Sequence, residues 1–208
     1  MFKGIAICVL AAAPILPAAE NGAMNDAERA FLVQQMEKTK AEFLESIANV
    51  SEAQWKFKPS PEAWSVAECA EHIIVSEGFL LGAAQGMMKS PAVDRQASSN
   101  AEQDKKIAMM VRDRSHKAKA PEPLVPSGKF GTPADAAKEF AARRDRSLEY
   151  ARTTNDELRV HTAPGPVGTM DAYQMLILMA VHTGRHTDQI REVQANPDYP
   201  KATASLSH

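Results

Sequence analysis

Four long segments of this chain repeat apolar residues at helical spacing, and proline- or glycine-rich stretches separate them. The predicted helices run from about 26 to 50, 65 to 89, 132 to 154 and 169 to 195. Helices of that length have to bury their apolar sides against one another, and no alternating strand pattern competes with them. The sequence therefore predicts an all-α fold, a four-helix bundle.

Capping residues indicate where these helices begin. Asn25 with Glu28, and Ser65 with Glu68, have the spacing of a capping box. In the last helix we place Asp171 in the first turn, where a carboxylate interacts favourably with the helix dipole. Thr132 followed by Pro133 marks the start of the third predicted helix, because proline is favoured at the first helical position after a cap.

Weaker signals lie between the long helices. Residues from about 100 to 117 are expected to form a further helical piece, with Ile107, Met110 and Val111 on its apolar side. The stretch from 120 to 131 is rich in proline and glycine, and loops of this kind often border functional sites. We predict another turn-rich link at 161 to 168.

The first two dozen residues have the pattern of an export signal. Lys3 supplies a positive start, an apolar run covers residues 5 to 16, and small residues follow at Ala18 and Ala19. The apolar run is shorter than the roughly 20 residues that a membrane-spanning helix needs. We therefore expect a cleavable signal peptide at 1–19.

Removal of that segment would leave a bundle domain at 25–200 without a stable membrane span. We expect this protein to be exported to the periplasm. A retained anchor is one alternative, and translation from Met24, which would give a cytoplasmic protein, is another. Cys69 would then be the only cysteine, so no intrachain disulfide is expected.

The charge balance argues against one class of partner. The chain has 24 basic and 26 acidic residues, with a formal net charge of -2 and no long cluster of lysine and arginine. A surface that follows nucleic-acid phosphates needs a concentrated basic face. We therefore do not expect nucleic-acid binding, whereas a small-molecule substrate and a homodimer stay open.

Two histidines lie within the apolar side of the last predicted helix. His182 and His186 are four residues apart, which on a helix means a rise of about 6 Å and a turn of about 40°. Both imidazoles can therefore reach one ion. They continue a stripe in steps of three and four that includes Met175, Met179, Gln189 and Val193.

A third histidine completes a ligand set if the second and last helices touch. His72 shares one side of its helix with Cys69 and Ser76. Three histidine ligands leave a coordination position open, which is the pattern of a catalytic metal site. Imidazole suits Zn, Ni or Fe, and the ligands alone do not select the ion. The alternative is that these are ordinary core or surface histidines.

The residues around these histidines closely resemble the DinB-like superfamily of metal-binding four-helix bundles. The similar stretches are FKP at 57–59, WSVAE at 64–68 followed by His72, and HTGRHTDQI at 182–190. In that family one histidine of the second helix and two of the last helix bind a divalent metal. The resemblance covers residues from about 26 to 195 and implies that His72, His182 and His186 are the ligands.

The same resemblance implies a metal-dependent enzyme. Some relatives use small thiols such as mycothiol or bacillithiol in transferase, isomerase or hydrolase reactions, and many have no known activity. Hydrolysis by a metal-activated water suits an exported protein, whereas thiol transfer suits the family. A non-catalytic bundle that a metal stabilises, or that senses a ligand, is the alternative, and the sequence identifies no general base.

A few neighbouring side chains could support a ligand or contact a substrate. Gln189, Glu68 and Cys69 are the candidates, although Glu68 also fits a helix cap and Cys69 also fits a small core residue. Glu71 flanks His72 and could accept a proton. The remaining histidines lie in loops or the tail, where we expect them to be exposed: His116, His161 and His208.

Overall fold

A computed structural model describes residues 22–116 and 119–201 of this chain. The predicted signal segment and His208 lie outside these ranges. The helices of the described part are α1 (Asp26–Ile47), α2 (Glu52–Lys56), α3 (Val66–Met87), α4 (Ala101–Arg112), α5 (Pro133–Thr153) and α6 (Ala172–Gln194). A 3-10 helix spans Glu122–Leu124, and a hairpin is formed by β1 (Thr162–Gly165) and β2 (Gly168–Asp171).

The four long helices α1, α3, α5 and α6 form the predicted bundle. Helix α6 packs against α1 and α3, and α5 packs against the same two helices from the opposite corner. The Tyr173 hydroxyl donates to the Glu28 carbonyl near the starts of α6 and α1, and Gln194 donates to the Ser46 carbonyl near their ends. These two helices are therefore parallel, whereas the first and last helices of an up-down-up-down bundle are antiparallel.

Helix α3 runs in the opposite direction to α6. Val66, at the start of α3, belongs to the same buried cluster as Ile190 and Val193 near the end of α6. The helix begins at the predicted residue, because Ser65 and Glu68 form a complete capping box. This antiparallel contact brings the first turns of α3 beside the last turns of α6.

A buried arginine joins all four long helices. Arg144 on α5 donates to both carboxylate oxygens of Glu77 on α3, to the Met36 carbonyl and Thr39 hydroxyl on α1, and to the Thr183 hydroxyl on α6. All five of its N–H donors are used, as a buried guanidinium requires. The arginine therefore fixes how the helices are spaced at the level of Thr183.

A second buried arginine ties the base of the bundle together. Arg159 contacts the carboxylates of Glu28 on α1, Asp104 on α4 and Asp171 at the start of α6. Its guanidinium also lies 3.8 Å from the ring centre of Tyr173. Arginine is rarely buried without such partners, so the carboxylates around it explain how this residue enters the core.

Helix α4 lies on the outer side of α6. Arg185 of α6 holds the C-terminal end of α4, because it donates to the backbone carbonyls of Val111 and His116 at 3.2 and 2.7 Å. The chain then crosses towards α3, where the 3-10 helix makes contact. No helix of the described ranges is long and apolar enough to cross a membrane.

Several boundaries differ from the sequence prediction. Helix α1 ends at Ile47 and not at 50. Asp171 is the N-cap of α6 and not a first-turn residue, because its side chain accepts the Gln174 N–H. Met110, which was predicted to lie on the apolar side of this helical piece, is 54% exposed. Helix α4 packs mainly on α6, and its buried residues are Asp104 and Ile107.

The link predicted as a turn at 161 to 168 is part of an antiparallel hairpin. The register pairs Thr162 with Asp171 and Gly165 with Gly168. Gly168 has a φ of 103°, a conformation that glycine adopts without a steric penalty. A strand of four residues with proline and glycine in it carries no clear alternation, so the sequence could not show it.

Candidate metal centre

Three histidines meet between α3 and α6. His72 comes from α3, and His182 and His186 come from successive turns of α6. One ligand atom of each residue lies within 4.8 Å of the corresponding atoms of the other two. The ring centres are 4.4 to 5.0 Å apart. The structure therefore brings together the three histidines that the sequence singled out.

Hydrogen bonds define the orientation of two of these rings. His72 donates from Nδ1 to the Leu124 carbonyl at 2.8 Å. His186 has its Nδ1 2.8 Å from the Gln189 Oε1. Both oxygens accept and cannot donate, so each Nδ1 carries the proton and each Nε2 presents a lone pair. This is the arrangement in which ligating histidines are usually held.

Burial keeps all three imidazoles neutral. Burial, with the neighbouring imidazole of His72 acting in the same direction, lowers the pKa of His182 to about 3. The pKa of His186 falls to about 2 through burial and the two neighbouring rings. Burial also lowers the pKa of His72, although its bond to Leu124 opposes the change. Neutral imidazole is the form that binds a metal.

The spacing of the nitrogens fits a shared ion. The Nε2 atoms of His72 and His182 are 3.3 Å apart. Two nitrogens bound tetrahedrally to one ion at about 2.0–2.1 Å would be separated by about 3.3–3.4 Å. His72 and His182 thus have the nitrogen spacing that one divalent ion requires, and the ligand atom of His186 lies within 4.8 Å of both.

Trp64 forms one wall of the site. Its ring centre lies 4.9 Å from that of His72 and 6.0 Å from that of His186. The residue immediately precedes the Ser65 cap, so the start of α3 sets its position. The indole thus limits access to the histidines from this side.

Gln189 is the one supporting candidate that contacts a histidine. Besides His186, its Oε1 lies 3.3 Å from Nη1 of Arg114, which also pairs with both oxygens of Glu192. Arg114 was not among the sequence candidates. Its position after the end of α4 gave no signal that it would reach α6.

Glu68 and Cys69 make contacts that do not involve the histidines. The Glu68 carboxylate closes the cap with Ser65 and pairs with Lys58 at 3.0 Å. Cys69 is fully buried among apolar residues, and burial raises the pKa of its thiol strongly. Its sulfur is not part of the ligand cluster found in the described ranges.

Glu71 points to the loop before α5 and not to the histidine rings. Its carboxylate accepts from the backbone N–H groups of Ser127, Gly128 and Lys129 and from the Ser127 hydroxyl. The sequence indicated a loop beside the site. It could not indicate which backbone atoms of that loop would meet α3.

The expectation that His161 is exposed was wrong. Its side chain is 9% exposed, and its backbone carbonyl accepts from the Ala172 N–H at the start of α6. The hairpin that the sequence did not reveal folds this residue against the bundle. His116 is exposed as expected.

Two cavities of the described surface lie away from the histidines. One, of about 480 Å³, is lined by residues between Ser51 and Lys56 together with Lys201. The other, of about 250 Å³, lies between the end of α1 and the start of α5. Neither includes a histidine of the cluster, so neither supplies a substrate pocket there.

Comparisons with known proteins show the family of this chain and support its fold. A family model described as the DinB superfamily matches residues 35–190. An uncharacterized protein of Bacillus subtilis (strain 168), YuaE, is 25% identical over 149 residues, which is 71% of this chain and 88% of that protein.

The fold also resembles a solved structure. YfiT from Bacillus subtilis matches with a TM-score of 0.54 and 12% identity, over 87% of this chain and 94% of that one. YfiT is described as a probable metal-dependent hydrolase with an unusual four-helix bundle topology. At this identity the likeness concerns the fold alone.

Proposed function

This chain belongs to the DinB superfamily, and on that basis we propose that His72, His182 and His186 bind one divalent metal ion in a metal-dependent hydrolase of a small-molecule substrate. The observation that carries the proposal is the 3.3 Å separation between the Nε2 atoms of His72 and His182. The description of YfiT as a probable metal-dependent hydrolase supports the choice of reaction. Zn, Ni and Fe all suit three imidazole ligands.

The protein side chains have a defined part in this function. A divalent ion supplies the chemistry by lowering the pKa of a coordinated water and by polarising a carbonyl. The bonds to Leu124 and Gln189 hold His72 and His186 with Nε2 towards the common point. Trp64 excludes water from one side of the histidines, which favours binding of a partly apolar substrate.

Metal analysis tests the binding proposal. The untagged protein is incubated with Zn²⁺, Ni²⁺ or Fe²⁺, passed through a desalting column and analysed for metal per chain. We expect about one ion per chain, and less than a tenth of that in His186→Ala. His116→Ala is the matched control, since it removes an exposed histidine and should keep the ion. A wild-type protein that retains none of the three ions would refute the proposal.

A non-catalytic, metal-stabilised or ligand-sensing bundle is the second candidate. It is favoured by the burial of His72 and His186, which are 3% and 9% exposed, since an ion closed off from a substrate would only stabilise the bundle. Cobalt-substituted protein separates the two candidates through its visible absorption. An open coordination position predicts that azide or a small thiol changes the spectrum, whereas a closed fourth protein ligand predicts no change. A response to the thiol alone would favour a thiol-dependent transferase.

Export is a separate part of the proposal and rests on the N-terminal sequence pattern alone. Expression of the full chain followed by cell fractionation and N-terminal sequencing tests it. We expect a periplasmic protein that begins at Glu20, after cleavage behind Ala19. Recovery of a cytoplasmic protein with its first 19 residues intact would contradict export.

A further inference from the structure

We propose that Glu71 is a positioning residue of the histidine site: it clamps the loop at 127–129 and thereby holds the Leu124 carbonyl that orients His72. The proposal rests on the metal-binding function proposed above. It assigns to Glu71 a role that differs from the proton acceptor considered from the sequence.

The loop donors use both oxygens of the Glu71 carboxylate. Oε1 accepts from the Ser127 N–H at 2.8 Å and from its hydroxyl at 3.0 Å. Oε2 accepts from the Gly128 N–H at 2.7 Å and from the Lys129 N–H at 2.9 Å. The Glu71 residue is only 2% exposed. A carboxylate with two donors on each oxygen is committed to the loop and is not free to act as a general base.

The backbone of the loop is shaped to bind this carboxylate. Three consecutive N–H groups converge on it, which is the geometry of an anion-binding nest. Gly128, in the middle, has a φ of 85°, a left-handed conformation that side-chain-bearing residues rarely adopt. A Cβ at this position would meet no other atom within 4 Å, so the requirement for glycine is one of backbone conformation.

The same loop also contacts His72, the residue that follows Glu71 on α3. Leu124 lies three residues before Ser127, and its carbonyl accepts from His72 Nδ1 at 2.8 Å. Its side chain is 6% exposed and so anchors the 3-10 helix as well. Two neighbouring residues of α3 therefore hold one loop at two points, and the bond at Glu71 fixes where the Leu124 carbonyl lies.

Loss of the clamp should therefore weaken metal binding through His72. A His72 ring without a fixed Nδ1 acceptor samples other orientations and the tautomer that carries its proton on Nε2. Removing the partner of a ligating histidine typically reduces metal affinity about 10–100-fold. We expect an effect of that size when Glu71 is changed, although Glu71 does not touch the ligand cluster.

Glu71→Gln tests the clamp with little change in shape. The new amide group would place N–H donors against the loop N–H groups. Glu68→Gln is the matched control, because it makes the same change on the same helix and glutamine still fits a capping box. Gly128→Ala is the second variant; it strains the loop but alters neither α3 nor a histidine, and its exposed position should let the protein fold.

Two measurements are made on each variant. Competition with a chelator gives the metal affinity, and ¹⁵N-labelled imidazole NMR of the metal-free protein reports the Nδ1 proton of His72. We expect Glu71→Gln and Gly128→Ala to bind metal 10–100-fold more weakly and to lose the slowly exchanging Nδ1 proton. Glu68→Gln should keep both the affinity and the proton.

The outcomes separate this inference from the proposed function. The positioning role of Glu71 would be overturned if Glu71→Gln and Gly128→Ala keep the wild-type metal affinity and the Nδ1 proton of His72. It would also be overturned if Glu68→Gln loses as much metal affinity as Glu71→Gln does. If the wild-type protein binds no metal, the proposed function fails. The NMR measurement then still decides whether Glu71 holds the loop on His72.

Discussion

Arg144 donates a hydrogen bond to the hydroxyl of Thr183, the residue that follows His182 on α6. The same guanidinium pairs with Glu77, five residues after His72 on α3. A single buried side chain thus connects the two helices that supply the histidines, close to the point where the histidines meet. The separation of His72 from His182 therefore depends on the polar centre of the bundle as well as on its apolar packing.

Removal of this arginine should cost more than removal of the whole ion pair. Arg144→Met leaves the buried Glu77 carboxylate without a counter-charge, which typically destabilises a protein by about 3–5 kcal/mol. The double variant Arg144→Met with Glu77→Leu should recover at least half of that loss. Urea denaturation of the two variants checks the prediction. A double variant as unstable as the single one would show that the charge of Glu77 is not the cause.

Substitutions of Gln189 should distinguish the effect of its hydrogen bond to His186 on metal affinity from the effect of its size. Gln189→Leu keeps the size but removes the acceptor of His186 Nδ1, and we expect metal affinity to fall about 10-fold or more. Gln189→Glu keeps an acceptor and should bind metal at least as tightly as the wild-type protein. Chelator competition measures both. Equal affinities in the two variants would mean that the contact with His186 does not support metal binding.

The metal-free protein should lose stability as the pH falls below about 6.5. The pKa values of His182 and His186 in the folded protein lie at about 3 and about 2. The unfolded chain takes up these protons near pH 6.5 and the folded protein does not, so acid favours unfolding. Each histidine contributes up to about 1.4 kcal/mol per pH unit.

A variant without these two groups isolates their contribution. His182→Gln with His186→Gln should have a shallower dependence of unfolding free energy on pH between 6 and 4. Denaturation in the presence of a chelator, at several pH values, gives both slopes. Parallel slopes for the variant and the wild-type protein would argue against the lowered pKa values.

Tryptophan fluorescence should report the arrival of a metal ion. The Trp64 ring contacts His72 and His186, whereas Trp55 is buried with its indole N–H on the Phe130 carbonyl. Co²⁺ or Ni²⁺ at the histidines should therefore quench Trp64 more strongly than Trp55. Trp55→Phe leaves Trp64 as the emitter and should show the larger quenching, and Trp64→Phe the smaller. The opposite order would place the ion away from Trp64.

The sequence was most informative where side chains on regular helices form the site. The spacing of His182 and His186, and the capping box that starts α3, define which sides of two helices face each other. Whether those helices touch depends on the tertiary fold, which the family resemblance supplied.

The sequence pattern could not predict which backbone groups and buried charges would contact one another. The Leu124 carbonyl and the loop donors to Glu71 belong to irregular chain, whose path depends on contacts made far away in sequence. Nothing in the sequence pattern indicates that Arg159 and Arg144 are buried, since arginine is seldom buried. Only their carboxylate partners on other helices, brought close by folding, make these positions favourable.

The parallel arrangement of α1 and α6 places α6 against helices that are all synthesised before it. Helix α6 contacts α1, α3 and α4 and brings two of the three imidazoles. A chain that emerges from the ribosome before α6 has been made would leave those helices unmatched and would hold His72 alone. Binding of an ion by all three histidines thus has to wait until α6 has been synthesised and has packed against α3.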